Sequence, residues 1–111
     1  MTFMQRSARQ FVLIKAARKI RQEIEKAGLD NLKILADAGK SIVGTYLQGC
    51  STQEKEAYRR NLKALVQMGV TPDMLLAEIA RQMPTLAPIM QEREDYKKME
   101  IRSLEQFLTT G

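Results

Sequence analysis

A chain of 111 residues, 44% hydrophobic and 5% aromatic, suffices for one domain with a single core and leaves no room for a second folding unit. One cysteine and no histidine exclude an intrachain disulfide, would leave a zinc site to be built from carboxylates alone, so that metal and histidine-based catalysis are both excluded, and point to a cytoplasmic protein without metal or cofactor. The net charge of +5 lies wholly in residues 1–28, where seven basic residues face only Glu23 and Glu25, while the rest of the chain sums to zero.

The composition is that of a helical protein, rich in Ala, Leu, Ile, Met, Gln, Glu, Lys and Arg, with no stretch that alternates like a strand. The expectation is an all-α fold, a compact bundle of about five helices with short connections, forming one domain over residues 1–111. The first helix is expected from Ser7 to Ala27, stopped by Gly28. The second begins after Asp30 or Asn31 and runs to Gln48, with Gly49 closing it. Ser51, three residues ahead of Glu54, makes a capping box that opens the third helix, which stops at Gly69. The fourth starts with Thr71 as cap and Pro72 in its first turn, and Pro84 breaks it. The fifth starts between Thr85 and Pro88 and ends near Thr109. Joints this short favour sequential antiparallel packing. Leu13, Ile20, Ile24, Leu35, Ile42, Val43, Leu62, Leu65, Leu75 and Ile79 fall at core positions. The longest run of large apolar residues, Phe11 to Ile14, is far short of the ~18 that a membrane span needs.

Within the second segment, "ADAGKSIVG" ends like a phosphate-binding loop in Gly39-Lys40-Ser41. Such a loop needs a glycine five positions earlier and a preceding buried strand, and here Ile34 stands at that position and no strand precedes it. Projected on one helix, Leu32, Leu35, Gly39, Ile42, Val43 and Tyr46 share a stripe. Gly39 is therefore expected inside a helix, marking a close helix-helix contact, with Lys40 in a surface pair with Asp37.

In the first helix Leu13, Ala17, Ile20, Ile24 and Ala27 form a seam, and Lys15, Arg18, Lys19, Gln22 and Lys26 lie opposite. Several cations on one face can reach along a phosphate backbone, the requirement of nucleic-acid binding without sequence preference; the competing explanation is a solvated polar face. Lys55, Arg59, Arg60 and Lys63 offer a second ridge on the third helix, partly offset by Glu54 and Glu56. Side by side, the two ridges would frame a track for DNA or RNA. The few aromatic residues fall mostly on apolar stripes, which leaves phosphate contacts to supply most of the affinity.

The segment "LVQMGVTPDMLLAEIA" resembles a helix-turn-helix, with Leu65 where a small residue is usual and Glu78 where an apolar one is usual. Its second helix has Arg81 as its only cation, so it reads as a plain helical hairpin. The basic, acid-free start also resembles a mitochondrial presequence, but its apolar seam continues through Ile24 to a glycine stop, as a helix of the domain should. No carboxylate pair shares a stripe and no nucleophile has a base beside it, so no enzyme is expected. In the last helix Arg93, Lys97 and Glu100 interrupt the stripe of Ile89, Tyr96, Leu104, Phe107 and Leu108. A half-charged seam suggests a face left open for other protein subunits or for self-association, through Tyr96, Leu104 and Phe107.

In size, helicity, lack of catalytic residues and basic helix face, the whole chain resembles the small helical subunits of CRISPR effector complexes, which serve antiviral defence. The resemblance implies a noncatalytic subunit that lines the path of the target nucleic acid, with phosphate contacts from Lys15, Arg18, Lys19 and the third-helix ridge, and with the last helix free for subunit contacts.

Overall fold

The structure, a computed structural model, describes residues 3–85, 88 and 94–109. These residues form six helices: α1 (Phe3–Glu25), α2 (Leu29–Asp37), α3 (Ile42–Gln48), α4 (Thr52–Gln67), α5 (Pro72–Gln82) and α6 (Glu94–Thr109). Among the described residues there is no strand. Residues 86 and 87, within the expected onset of the last helix, and the stripe positions Ile89 and Arg93 lie outside them. α1 begins at Phe3 rather than Ser7, because no breaker precedes Ser7 and the helix simply continues through it.

The expected second helix is two helices. Gly39 takes φ +71° and ends α2: its N–H donates to the Ala36 carbonyl (3.0 Å) and the Lys40 N–H to the Leu35 carbonyl (2.9 Å), the paired bonds of a Schellman stop. Two residues on, the Ser41 hydroxyl accepts from the Gly44 N–H at 2.8 Å and caps α3. Gly39-Lys40-Ser41 is thus a joint of glycine, spacer and hydroxyl. The same pattern recurs at Gly49-Cys50-Ser51 and at Gly69-Val70-Thr71, where Ser51 caps α4 and Thr71 caps α5. The expectation that Gly39 marks a close contact is overturned, since a Cβ there would meet nothing within 4 Å. The close approach belongs to Gly44, whose Cβ would lie 2.9 Å from the Ser103 Cβ on α6.

Packing is not sequential. α1 lies along α5 and also meets α3 and α4, while α6 lies along α3 and covers α5 and α4. α4 and α5 follow one another in the chain, but each leans mainly on α1 and α6, so the expected hairpin is not the packing unit. The expected core residues are all buried except Leu35, which is half-buried against the core. Tyr96, Leu104 and Phe107 are buried too, so α6 spends its apolar seam on its own domain and the partner surface expected from these residues does not exist. Burying one large apolar side chain is worth roughly 1.5–3 kcal/mol, and leaving this set in water would forfeit that at each.

Two of the charges that interrupt the α6 seam find partners within the domain. Glu100 is completely buried; its Oε2 accepts from the Val43 N–H at 3.2 Å, at the start of α3. One turn earlier the Tyr96 hydroxyl donates to the Lys40 carbonyl at 3.1 Å, so Tyr96 and Glu100 together hold the α2–α3 joint and the start of α3. Lys97 pairs with Asp73 of α5 at 3.2 Å. Glu78 is likewise buried and receives both Arg81, Nε to Oε2 at 2.9 Å, and the Gln82 amide at 3.1 Å. Arg81, the one cation of the would-be recognition helix, is thereby engaged, and the buried face of α5 is turned to the core.

Candidate nucleic-acid interface

α1 exposes a face because its opposite side is fully used. Leu13, Ala17, Ile20 and Ile24 are buried beneath α3, α4 and α5, and the residues half a turn away must then point to solvent. Lys15, Arg18, Lys19, Gln22 and Lys26 are all exposed. Lys26 is paired with Glu23 at 3.0 Å, which raises its pKa, so it is the least available of these cations. Lys15, Arg18 and Lys19 enter no ion pair among the described residues.

Two hydrogen bonds from neighbouring helices fix the backbone under these cations. The Gln82 amide donates to the Ile14 carbonyl at 3.1 Å, and the Tyr58 hydroxyl donates to the Lys19 carbonyl at 3.3 Å. Burial, with the Glu23 carboxylate adding to it, pushes the Tyr58 phenol up to about 12, which keeps it a donor at any physiological pH.

The α4 ridge divides differently from expectation. Arg59 is half-buried: its Nε donates to the Phe107 carbonyl at 2.9 Å, and its guanidinium stacks 4.8 Å from the centre of the Phe107 ring, holding the last turn of α6. Lys55 is half-buried, whereas Arg60 and Lys63 are exposed. Arg59, Arg60 and Lys63 surround a shallow depression that they share with Glu56. Lys15 and Lys19 line another cleft, with Asn61. Arg59 and Lys63 each stand two residues from Asn61, about 160° around α4, so these two cations are turned away from the α1 cleft. Arg59, Arg60 and Lys63 thus line a depression separate from the α1 cleft, while Lys55 and Lys26 approach each other closely enough that both act on the Cys50 thiol.

The sequence reading missed Phe11. Its side chain is 67% exposed, and it lines the α1 cleft of ≈ 230 Å³ with Val12, Lys15, Ala16, Lys19 and Asn61. Its spacing was the available signal: Phe11 is one turn before Lys15 and two before Arg18, and so belongs to the cationic face rather than the seam.

Elsewhere, and contrary to the expectation that carboxylates alone could supply metal ligands, the Cys50 Sγ converges with Glu23 and Glu54, the three ligand atoms lying within 4.8 Å of one another because the start of α4 brings Cys50 and Glu54 to the end of α1. Burial, then the two carboxylates, push the Cys50 thiol up, and its Sγ donates to the Tyr46 carbonyl at 3.2 Å, so it is a poor nucleophile. Among the described residues no helix is long and apolar enough to cross a membrane. No protein-family model, no curated protein and no solved structure matches the chain.

Proposed function

We propose that the chain is a noncatalytic helical module that holds nucleic acid by its phosphate backbone, without sequence preference, through the α1 face. The observation that carries this reading is the state of Lys15, Arg18 and Lys19: exposed, clear of any ion pair among the described residues, and on a stretch with no acidic residue before Glu23. Cations held for solubility alone are commonly interleaved with acids; these are not.

Three or four phosphate contacts give weak, salt-sensitive binding. Such a module works best when repeated along a strand, where each copy raises the local concentration of the next. A small subunit of a larger nucleoprotein assembly, of the kind the chain resembles among CRISPR effector complexes, is the setting that suits it. Arg60 and Lys63 on α4 provide a second, weaker cationic site, and Arg59 serves the fold.

The test is a salt titration of binding to single-stranded DNA, single-stranded RNA and duplex DNA. Replacing Lys15, Arg18 and Lys19 by Ala should weaken binding equally across sequences. It should lower the slope of log K against log salt by up to about 0.9 per lost contact on duplex or 0.7 on a single strand. A slope unchanged by the triple substitution, or no binding at low salt by wild-type chain, overturns the reading.

A further inference from the structure

The α1 cleft joins features that phosphate binding alone does not need. Phe11 presents an aromatic ring to solvent, Val12 and Ala16 form an apolar floor, Lys15 and Lys19 stand along one wall, and the exposed Asn61 of α4 closes the other. No acidic residue lines it. A large aromatic side chain left in water forfeits burial worth a few kcal/mol, yet the chain has ample apolar core elsewhere.

We propose that this cleft is a stacking site for an unpaired nucleobase of single-stranded DNA or RNA, with Phe11 beneath the base and Lys15 and Lys19 on the adjoining phosphates. This rests on the nucleic-acid reading of α1 and narrows it from any phosphate backbone to a single strand. Successive positions Phe11, Lys15 and Lys19 are one helical turn apart, about 6 Å along the axis, so a strand lying along α1 meets the ring first and the two cations in order. Every base has a π-face, so the site selects unpaired over paired bases without selecting among sequences. A base inside a duplex is stacked on both sides and cannot reach the ring. The Asn61 amide, with donors and an acceptor at the cleft edge, can meet the edge of a base of either kind. The 2′-hydroxyl has no dedicated partner in this lining, and DNA and RNA should therefore bind alike.

The chain has no tryptophan, so Phe11→Trp places a single indole at the proposed stacking position. Its fluorescence should be quenched on titration with oligo(dT) or oligo(rU), and far less with an abasic strand of the same length and charge. Phe11→Ala should weaken binding to both single strands about 10-fold or more, the usual effect of removing one stacked aromatic, leave duplex binding unchanged, and leave the salt slope unchanged because no ionic contact is lost. Phe11→Tyr should restore the affinity. Circular dichroism checks that the variants remain folded, as the exposure of Phe11 leads one to expect. Equal binding of abasic and base-bearing strands, or an equal loss on single strand and duplex in Phe11→Ala, overturns the stacking site while leaving a salt-dependent phosphate site intact. Absence of binding by wild-type chain to every strand overturns both.

Discussion

Gly44→Ala sets two effects of known size against each other. In an ordinary helix the change from Gly to Ala stabilises by about 1 kcal/mol. Here the new Cβ would lie 2.9 Å from the Ser103 Cβ and 2.9 Å from the Ser41 Oγ. The hydroxyl can yield only by loosening its 2.8 Å cap bond to the Gly44 N–H, a smaller cost. The Ser103 Cβ is fixed to the α6 backbone, and α6 is pinned on the same side by Tyr96 and Glu100. Separating α3 from α6 by the several tenths of an ångström required is overpacking, which costs about 1–3 kcal/mol. The net expectation is destabilisation by roughly 1 kcal/mol, a sizeable part of the total for so small a domain. Urea unfolding followed by far-UV circular dichroism measures it, and a double-mutant cycle with Ser103→Gly isolates the contact. In the Ser103→Gly background Gly44→Ala should recover its helix-propensity gain, giving a coupling of about 1–2 kcal/mol. A higher urea midpoint for Gly44→Ala alone, or additive effects in the cycle, would refute the close approach of α3 and α6.

Gly39→Ala should destabilise by about 1–2 kcal/mol because φ +71° is a left-handed conformation costly to any residue with a Cβ, while exposed Lys40→Ala should leave the urea midpoint unchanged. Phe107→Ala should cost about 3–5 kcal/mol and unfold much of the domain, rather than merely abolish association, as thermal melts at several protein concentrations would reveal. Arg59→Ala should lose about 1 kcal/mol with the Phe107 carbonyl bond and ring contact, whereas Arg60→Ala should be neutral in the same melts. Burial holds the Glu100 carboxyl above its ordinary value of 4.5, against the pull of the Ser41 hydroxyl and the Val43 and Ile42 N–H groups. The native state therefore binds the extra proton, and this contribution to stability is complete below 4.5 and lost as pH rises through the raised value. Glu100→Gln should remove that decline in urea midpoints measured from pH 4 to 8. Glu78 has the opposite sign: burial pushes it up, but the Arg81 and Gln82 bonds together outweigh burial and lower its pKa, so its contribution is present above 4.5 and fades as pH falls through the lowered value.

The helical class and the core were legible because periodicity is local: Leu13, Ile20 and Ile24 are placed by the 3-and-4 spacing of α1 alone. Gly39 was misplaced because the apolar stripe runs through the break; both α2 and α3 turn apolar residues inward, and periodicity is indifferent to a change of axis. The glycine-spacer-hydroxyl pattern, read at Gly49 and Gly69, would have found it. Glu100 was read as a flaw in the seam, since spacing along one helix cannot show that another helix begins at the same point and offers N–H groups to a carboxylate. Arg59 was counted among available cations for a similar reason: its partner, Phe107, is 48 residues away. The availability of Lys15, Arg18 and Lys19 was easier to anticipate, because it depends on the absence of nearby acids along one short stretch.

Where the excess charge sits also decides how rigidly it is presented. α1 is the longest helix described and the one that meets α3, α4 and α5 together. Side-chain bonds from α5 and α4 reach its carbonyls at Ile14 and Lys19, directly below the cations. A strand bound there therefore meets charges whose backbone is already ordered, and the entropy lost on binding is mainly that of the lysine and arginine side chains, about 2 kcal/mol or less for each. Cations on a joint or a chain end would add backbone ordering to that cost, about 1–2 kcal/mol for every residue fixed. With three unpaired cations on the described part of the face, that difference would be comparable to the few kcal/mol that so few phosphate contacts supply. On the proposed reading, placing the charge on a helix packed against three others is what would let so few contacts hold a flexible strand.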